Sequence, residues 1–110
     1  SVPVRVGMRY AAENHARRPT VADAAAAAGL SPSRFAHIFT KEAGVSFHEY
    51  LASVRIERAK GLLAHTTLPV VEVADRTGFC NQNYFANVFR RRTGSTPKAY
   101  RTVHGEKADA

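Results

Sequence analysis

The sequence repeats itself once, and this repeat constrains the fold more than any other feature. A shift of 49 positions aligns the start of the two copies and a shift of 50 aligns the rest, so the second copy has one extra residue in its turn. The identical pairs are Val21/Val70, Ala25/Ala74, Gly29/Gly78, Phe35/Phe85, Ala36/Ala86, Phe39/Phe89, Gly44/Gly94 and Tyr50/Tyr100. Each copy is predicted to form a short helix, a glycine turn and a second helix with an apolar stripe.

Helical periodicity runs through nearly the whole chain, and no segment alternates apolar and polar residues as a half-buried strand would. Residues that start and stop helices divide the chain into seven segments, predicted at about 4–17, 21–28, 32–43, 47–64, 70–77, 82–92 and 97–103. N-caps are predicted at Ser31 and Asn81, and capping boxes at Thr20 with Asp23 and Ser46 with Glu49.

The repeated unit has the composition of a helix-turn-helix. Ala25 and Ala74 are small residues at the place where two helices would cross closely, and Gly29 and Gly78 allow the left-handed backbone that the turn requires. The predicted fold is all-α, with seven helices forming two helix-turn-helix units joined by a long linker helix. One domain is expected over 1–103, with the units at about 20–44 and 69–93, the linker helix at about 46–64 and a polar tail at 104–110.

The chain is short and basic. Its 110 residues include 16 Lys and Arg against 9 Asp and Glu, which gives a formal charge of +7. This length fits one domain and is too small for a barrel enzyme or a two-domain dinucleotide-dependent oxidoreductase. The charge alone allows two interpretations, solubility or a polyanionic partner. One helix pair by itself would suggest a plain helical hairpin, but two copies in a basic chain favour binding to DNA.

Residues for catalysis or metal binding are not grouped in the sequence. Cys80 cannot form an internal disulfide and is expected to be half-buried in the second turn. The histidines lack metal-ligand spacing, and no nucleophile, base and orienting group or phosphate-binding loop occurs together. No apolar run approaches the about 18 residues of a membrane span. We therefore predict no enzyme activity, metal, cofactor or membrane association, and a cytoplasmic location.

The second helix of each copy is expected to present a binding surface opposite its apolar stripe. The residues predicted to face outward are Ser33, His37 and Thr40, flanked by Arg34, Ala36 and Lys41, and Asn83, Asn87 and Arg90, flanked by Gln82 and Ala86. Amides can pair with adenine, Arg or protonated His can donate to guanine, and Ala can contact a thymine methyl. Any solvated helix has a polar face, but uncharged amides where Glu and Lys are usual favour base recognition.

Basic residues near these helices are predicted to hold phosphates, which fix register without reading sequence. The candidates are Lys41, Arg90, Arg91 and Lys98, together with Arg34 and Arg92. Arg90, Arg91 and Arg92 would equally suit the negative end of a helix. The linker segment 47–64 is 18 residues long, or about 27 Å, while neighbouring major-groove faces are about 34 Å apart. The two second helices are therefore predicted to enter successive major grooves.

Several motifs together resemble the C-terminal signature of the arabinose-regulator (AraC/XylS) transcription factors. They are Gly78-Phe79, Tyr84-Phe85, Phe89-Arg90, Gly94, Thr96-Pro97 and Tyr100-Arg101, while Arg55-Ile56, Ala59 and Leu62-Leu63 resemble the family's linker helix. The resemblance covers Pro3 to Thr102 and implies two helix-turn-helix units that bind promoter DNA to regulate transcription. It places base-reading positions on Ser33, Ala36, His37, Gln82, Asn83, Ala86 and Asn87, to which we add the neighbouring Arg34.

The resemblance also implies partners. Double-stranded promoter DNA is the expected partner and RNA polymerase a further candidate, and an effector-binding, dimerising domain is expected outside this chain. The alternative function is a helical protein-interaction module whose basic charge serves solubility. Absence of DNA binding at about 50 mM salt would favour that alternative, because electrostatic binding is strong there.

Overall fold

A computed structural model describes residues 1–105 of the chain. Within this range the chain forms seven α-helices and no strand. It divides into two compact units, a first unit of Ser1–Val54 and a second unit of Arg55–Ala110, and helix α4 contributes to both. The helices are α1 Val2–Asn14, α2 Val21–Ala27, α3 Pro32–Ala43, α4 Phe47–His65, α5 Val70–Arg76, α6 Gln82–Thr93 and α7 Pro97–His104. The predicted all-α fold, with two helix-turn-helix units joined by a long helix, is confirmed.

Helix α1 lies earlier in the chain than predicted. Pro3 falls in its first turn, where a missing N–H costs no hydrogen bond. The helix ends at Asn14, whose side-chain amide donates to the Tyr10 carbonyl at 3.0 Å. The prediction extended α1 to residue 17 because it took Pro19 as the stop. The other helix boundaries agree with the prediction to within one residue.

Side-chain caps fix where the helices begin. The Thr20 hydroxyl accepts a hydrogen bond from the Asp23 N–H at 3.1 Å, and the Asp23 carboxylate accepts one from the Thr20 N–H at 2.9 Å, which completes the predicted capping box. Ser31 and Asn81 each accept from the N–H three residues on, at 3.3 and 2.7 Å. Ser46 makes the same bond at 3.1 Å. Each such cap stabilises its helix by about 1 kcal/mol.

An aromatic cluster forms the core of the first unit. Phe35 and Phe39 of α3 are fully buried, with ring centroids 5.6 Å apart. Phe47 at the start of α4 meets both rings edge-on, at 5.8 and 5.6 Å. Helix α1 packs on this cluster through Gly7, where an added Cβ would lie 2.6 Å from Phe35 Cζ. The inner face of α3 is therefore held on several sides.

The second unit repeats this arrangement with α6 in the place of α3. Phe85 and Phe89 are fully buried, with centroids 5.6 Å apart, and Phe79 lies 4.9 Å from Phe85. Leu63 of α4 and Val73 of α5 complete the apolar contact, and both are fully buried. The inner face of α6 is thus fixed as firmly as that of α3.

The turn inside each helix-turn-helix has the backbone that the glycines predicted. Gly29 has a φ of +73° and Gly78 a φ of +88°, in the left-handed region that residues with a side chain rarely adopt. Ala25 and Ala74 are 0% and 1% exposed. These small residues permit the close approach of the two helices in each unit.

The extra residue of the second copy is Cys80. The Leu30 N–H and the Phe79 N–H make equivalent bonds back across their turns, of 2.9 and 3.0 Å. Leu30 is followed directly by the N-cap Ser31, whereas Cys80 stands between Phe79 and the N-cap Asn81. The prediction that Cys80 is half-buried is wrong, since its side chain is exposed. An inserted residue has no counterpart in the packed turn and is directed to solvent.

Helix α7 is tied to the end of α4 by one side chain. Arg101 donates from Nε to the Leu63 carbonyl at 3.2 Å and from Nη2 to the Thr66 carbonyl at 3.4 Å. Carbonyls in the last turn of a helix have no partner inside the helix, so Arg101 satisfies groups that water would otherwise bind. Helix α7 extends to His104, and residues 106–110 of the predicted polar tail lie outside the described residues.

Candidate nucleic-acid interface

Helix α3 has one face in the core and the opposite face in solvent. Its phenylalanines, Phe35 and Phe39, anchor the inner face. Of the residues predicted to contact DNA on α3, all are exposed except the half-buried Ala36; the exposed ones are Ser33, Arg34, His37 and Lys41. Thr40, predicted to face outward, is exposed too. The predicted outward face of α3 is therefore accessible as one continuous surface.

Helix α6 presents the same surface with different chemistry. Its predicted contact residues are again exposed apart from one half-buried alanine, Ala86; the exposed ones are Gln82, Asn83, Asn87, Arg90 and Arg91. Where the residue fifty positions earlier was also a predicted contact, the two are alike: both are exposed, or both are half-buried. The repeat thus extends from the sequence to the side chains that the two helices offer to solvent.

Two of the three cations of α6 have no acidic partner among residues 1–105. The helix contains three arginines and no acidic residue. Neither Arg90 nor Arg91 forms an ion pair with an acidic side chain of residues 1–105. Together with Asn87 they line an open cleft of about 380 Å³. An amide beside two guanidinium groups suits an anionic ligand with hydrogen-bond acceptors.

Three cations away from this surface are paired with an acidic side chain on their own helix. Arg9 pairs with Glu13 at 3.5 Å, Lys60 with Glu57 at 3.0 Å, and Arg76 with Glu72 at 3.3 Å. These are exposed pairs on single helices and contribute little stability. They balance charge locally on α1, α4 and α5.

The one acidic side chain of α3 is engaged elsewhere. Glu42 accepts hydrogen bonds from the Ser1 ammonium at 3.0 Å and from the Ser1 hydroxyl at 2.8 Å. These bonds, the ammonium first, hold the pKa of Glu42 below its ordinary value. The neighbouring Lys41 is exposed in the last turn of α3. Lys98, the remaining predicted phosphate contact, is exposed in the first turn of α7.

The sequence prediction passed over one exposed side chain on α6. Tyr84 is 47% exposed, although the prediction used it only as part of the family signature. It follows Asn83 in the first turn of the helix and is the counterpart of Arg34. Alignment of the two copies at this position was the signal that could have found it.

Other kinds of site have no counterpart in the described part of the chain. No three His, Cys, Asp or Glu side chains of residues 1–105 are grouped so that they could hold a metal ion. Over the same residues no helix has both the length and the apolar character to cross a membrane.

Two helix-turn-helix units, each with an exposed polar and basic second helix, define the class of protein as a helix-turn-helix DNA-binding domain. Residues 24–102 match a family model described as a helix-turn-helix domain. The chain belongs to this family, in its AraC/XylS type. It is a DNA-binding domain for transcription regulation and not an enzyme.

Relatives of known sequence are bacterial transcription regulators. The chain is 40% identical over 92 residues to the uncharacterised HTH-type transcriptional regulator YijO of Escherichia coli K12, covering 84% of this chain and 32% of YijO. It is 39% identical over 80 residues to the arabinose operon regulatory protein of the same strain, covering 73% of this chain and 27% of that protein. The chain thus spans about a third or less of the length of these relatives.

Solved structures agree with this fold. The C-terminal domain of AraT, a response regulator from Geobacillus stearothermophilus, superposes with a TM-score of 0.93 at 30% identity, covering 100% of this chain and 92% of that one. The DNA-binding domain of AdpA, a global transcriptional factor crystallised in complex with a target DNA, gives a TM-score of 0.86 at 32% identity, covering 94% and 93%.

Proposed function

We propose that this domain binds double-stranded promoter DNA with α3 and α6 as recognition helices in successive major grooves. The observation that carries the proposal is the repeated exposed face of these two helices, on which Arg90 and Arg91 of α6 have no ion pair among residues 1–105. Helix α4 between them has 19 residues, a length of about 28 Å. Such a spacer suits two sites about 34 Å apart on one side of the duplex once the width of the recognition helices is added.

Base recognition is assigned to the middle of each exposed face. The amides Gln82, Asn83 and Asn87 suit adenine, which offers one donor and one acceptor in the major groove. On α3, Arg34 and a ring N–H of His37 can donate to guanine, and Ser33 can bond to either kind of base edge. The two half-buried alanines, Ala36 and Ala86, suit contact with a thymine methyl.

Phosphate contact is assigned to four exposed cations of α3, α6 and α7. Lys41, Arg90, Arg91 and Lys98 are exposed at helix ends, where their long side chains can reach the DNA backbone. Such contacts fix the register of the protein and make binding depend steeply on salt. In this division of labour most of the sequence information comes from uncharged amides.

Transcription regulation by the longer regulators requires more than this domain. The relatives are about three times the length of the matched region, which leaves room for an effector-binding and dimerising domain. RNA polymerase is the further partner that a regulator bound at a promoter would contact. A chromosomal DNA partner places the protein in the bacterial cytoplasm, on the nucleoid.

The proposal is tested by two variants with different expected signatures. Asn87→Ala should weaken binding to a selected duplex by about 1–3 kcal/mol, with relaxed preference at one base position, and should leave random DNA nearly unaffected. Arg90→Ala should weaken both duplexes alike and lower the salt slope of binding by about 1. Arg9→Ala is the matched control, since Arg9 is an exposed arginine paired within α1.

Fluorescence anisotropy at several salt concentrations measures these effects. Equal losses on selected and random DNA for Asn87→Ala would refute its assignment to base recognition. Failure of the unaltered domain to bind any duplex at about 50 mM salt would favour the alternative of a protein-interaction module, because phosphate contacts are strong there.

A further inference from the structure

Tyr84 is a large aromatic side chain left exposed beside the proposed DNA-binding face. Its exposed fraction is 47%, and its immediate neighbour on the N-terminal side, Asn83, is a proposed base contact. Tyrosine combines a rigid ring with a hydroxyl donor, which makes it favourable at interfaces that are partly apolar and partly wet. A single exposed aromatic residue is common on protein surfaces and by itself indicates no binding site. What distinguishes Tyr84 is its position on α6.

The ring of Tyr84 rests on the packed turn of the second unit. Its centroid lies 6.0 Å from that of Phe79, at an interplanar angle of 56°. Phe79 is buried against Phe85 and has the Arg55 guanidinium 5.9 Å from its ring centre. The inner edge of the Tyr84 ring is therefore supported by a fixed aromatic group while nearly half of the side chain remains available to a ligand.

Helix geometry places Tyr84 on the same flank of α6 as Arg91. The two positions are seven residues apart, so they differ by only about 20° around the helix and by about 10 Å along it. Arg91 is a proposed phosphate contact. In the proposed complex the flank that Tyr84 shares with Arg91 is the one beside the sugar–phosphate backbone, whereas Asn83 and Asn87 occupy the middle of the face.

The first unit provides an independent comparison at the same place. Arg34 and Lys41 are also seven residues apart and are the counterparts of Tyr84 and Arg91. Both are exposed cations. The first unit thus carries two positive charges on this flank of its recognition helix, and the second unit carries one positive charge and one neutral phenol.

We propose that Tyr84 binds the DNA backbone, with its hydroxyl donating to a phosphate and its ring covering the adjoining sugar. It occupies the position of Arg34 in the first unit, for which a base contact is proposed, and differs from it in contacting the backbone. This inference rests on the proposed DNA-binding function and gives Tyr84 a role that the family resemblance did not assign. A neutral donor contributes affinity without releasing a counterion, so its contact differs from that of an arginine in how it responds to salt.

Two variants test the contact on two probes, a duplex selected from a random pool by the unaltered domain and a random duplex of equal length. Tyr84→Phe keeps the ring on Phe79 and removes only the hydroxyl. We expect about tenfold weaker binding to both duplexes with an unchanged salt slope, because a hydrogen bond to a charged group is lost while no ion pair is removed. At low salt Tyr84→Arg should bind more tightly than Tyr84→Phe, and the salt slope of its binding should be steeper by about 0.9 than that of the unaltered domain.

Tyr100→Phe is the matched control. The Tyr100 ring packs in the second unit against Phe89, at 5.4 Å, and His104, at 4.3 Å, away from the recognition face. The substitution also removes one phenolic hydroxyl, but it should leave DNA affinity unchanged. Circular dichroism of each variant reports whether the helical fold is retained.

The contact is refuted if Tyr84→Phe binds both duplexes within about twofold of the unaltered domain, a change far below one hydrogen bond. A loss confined to the selected duplex would assign Tyr84 to base recognition and overturn the backbone contact. An unchanged salt slope for Tyr84→Arg, or an equal loss for Tyr100→Phe, would also overturn it. In each of these results the unaltered domain still binds DNA, which separates them from a failure of the proposed function.

Discussion

Replacement of Gly7 by alanine should destabilise the first unit, although alanine favours helix formation. In the middle of a helix, helix propensity alone would make this change raise the free energy of unfolding by about 0.5–1 kcal/mol. At Gly7, however, the new Cβ would lie 2.6 Å from Cζ of Phe35 and 3.2 Å from Cδ2 of Phe39. The helix α1 or the Phe35 ring must then move.

Neither movement is free. Phe35 is fully buried, and its ring already contacts Phe39 and Phe47 at centroid distances of 5.6 and 5.8 Å. Overfilling a packed core costs about 1–3 kcal/mol, which exceeds the propensity gain. We therefore expect Gly7→Ala to lower the free energy of unfolding by about 1 kcal/mol, the difference between these opposing effects.

Gly61→Ala is the matched control, because Gly61 also lies inside a helix but has no atom within 4 Å of an added Cβ. Here propensity acts alone, and stability should rise by about 0.5–1 kcal/mol. Urea denaturation gives the overall change, and native-state hydrogen exchange of amides in α3 and α6 reports on each unit separately. If Gly7→Ala stabilised its unit as much as Gly61→Ala stabilises the other, the close packing of α1 on Phe35 would be wrong.

Three further substitutions test what holds the recognition helices in place. Arg101→Leu leaves the Leu63 carbonyl in the last turn of α4 and the Thr66 carbonyl just after it without their donor, and we expect the free energy of unfolding in urea to fall by about 1–3 kcal/mol; an unchanged midpoint would argue against this contact. Asn81→Ala removes the cap of α6 and should cost about 1 kcal/mol, seen as faster amide exchange in the first turn of α6 but not of α3. Phe85→Ala should lower the free energy of unfolding by about 3–5 kcal/mol, and both DNA binding and the cooperative unfolding of the second unit should be lost. Retained DNA binding would contradict the role of this core in holding α6 in place.

Local features of the fold could be predicted from the sequence because they depend on residues close together in the chain. The caps at Thr20, Ser31 and Asn81 involve a side chain and an N–H three residues away. The positive φ of Gly29 and Gly78 follows from the turn that the repeat requires. Helical periodicity was equally sufficient to separate the buried and exposed faces of α3 and α6.

Contacts between distant parts of the chain could not be predicted from local sequence patterns. Gly7 packs against Phe35 of another helix, and Arg101 binds carbonyls 38 and 35 residues earlier. Cys80 was misjudged because its exposure depends on which residue of the turn is the inserted one. The exposure of Tyr84 was not predicted, because it depends on how its ring contacts Phe79, a residue outside α6.

The central claim is that one chain reads two sites with two recognition helices. Selection of bound sequences from a random DNA pool with the purified domain tests it most directly. We expect two short motifs in direct order, centred about 10–10.5 base pairs apart, because the two helix-turn-helix units follow one another along the same chain and neighbouring major-groove faces have that separation. Enrichment of one motif only, of two inverted motifs, or of no sequence at all would contradict it.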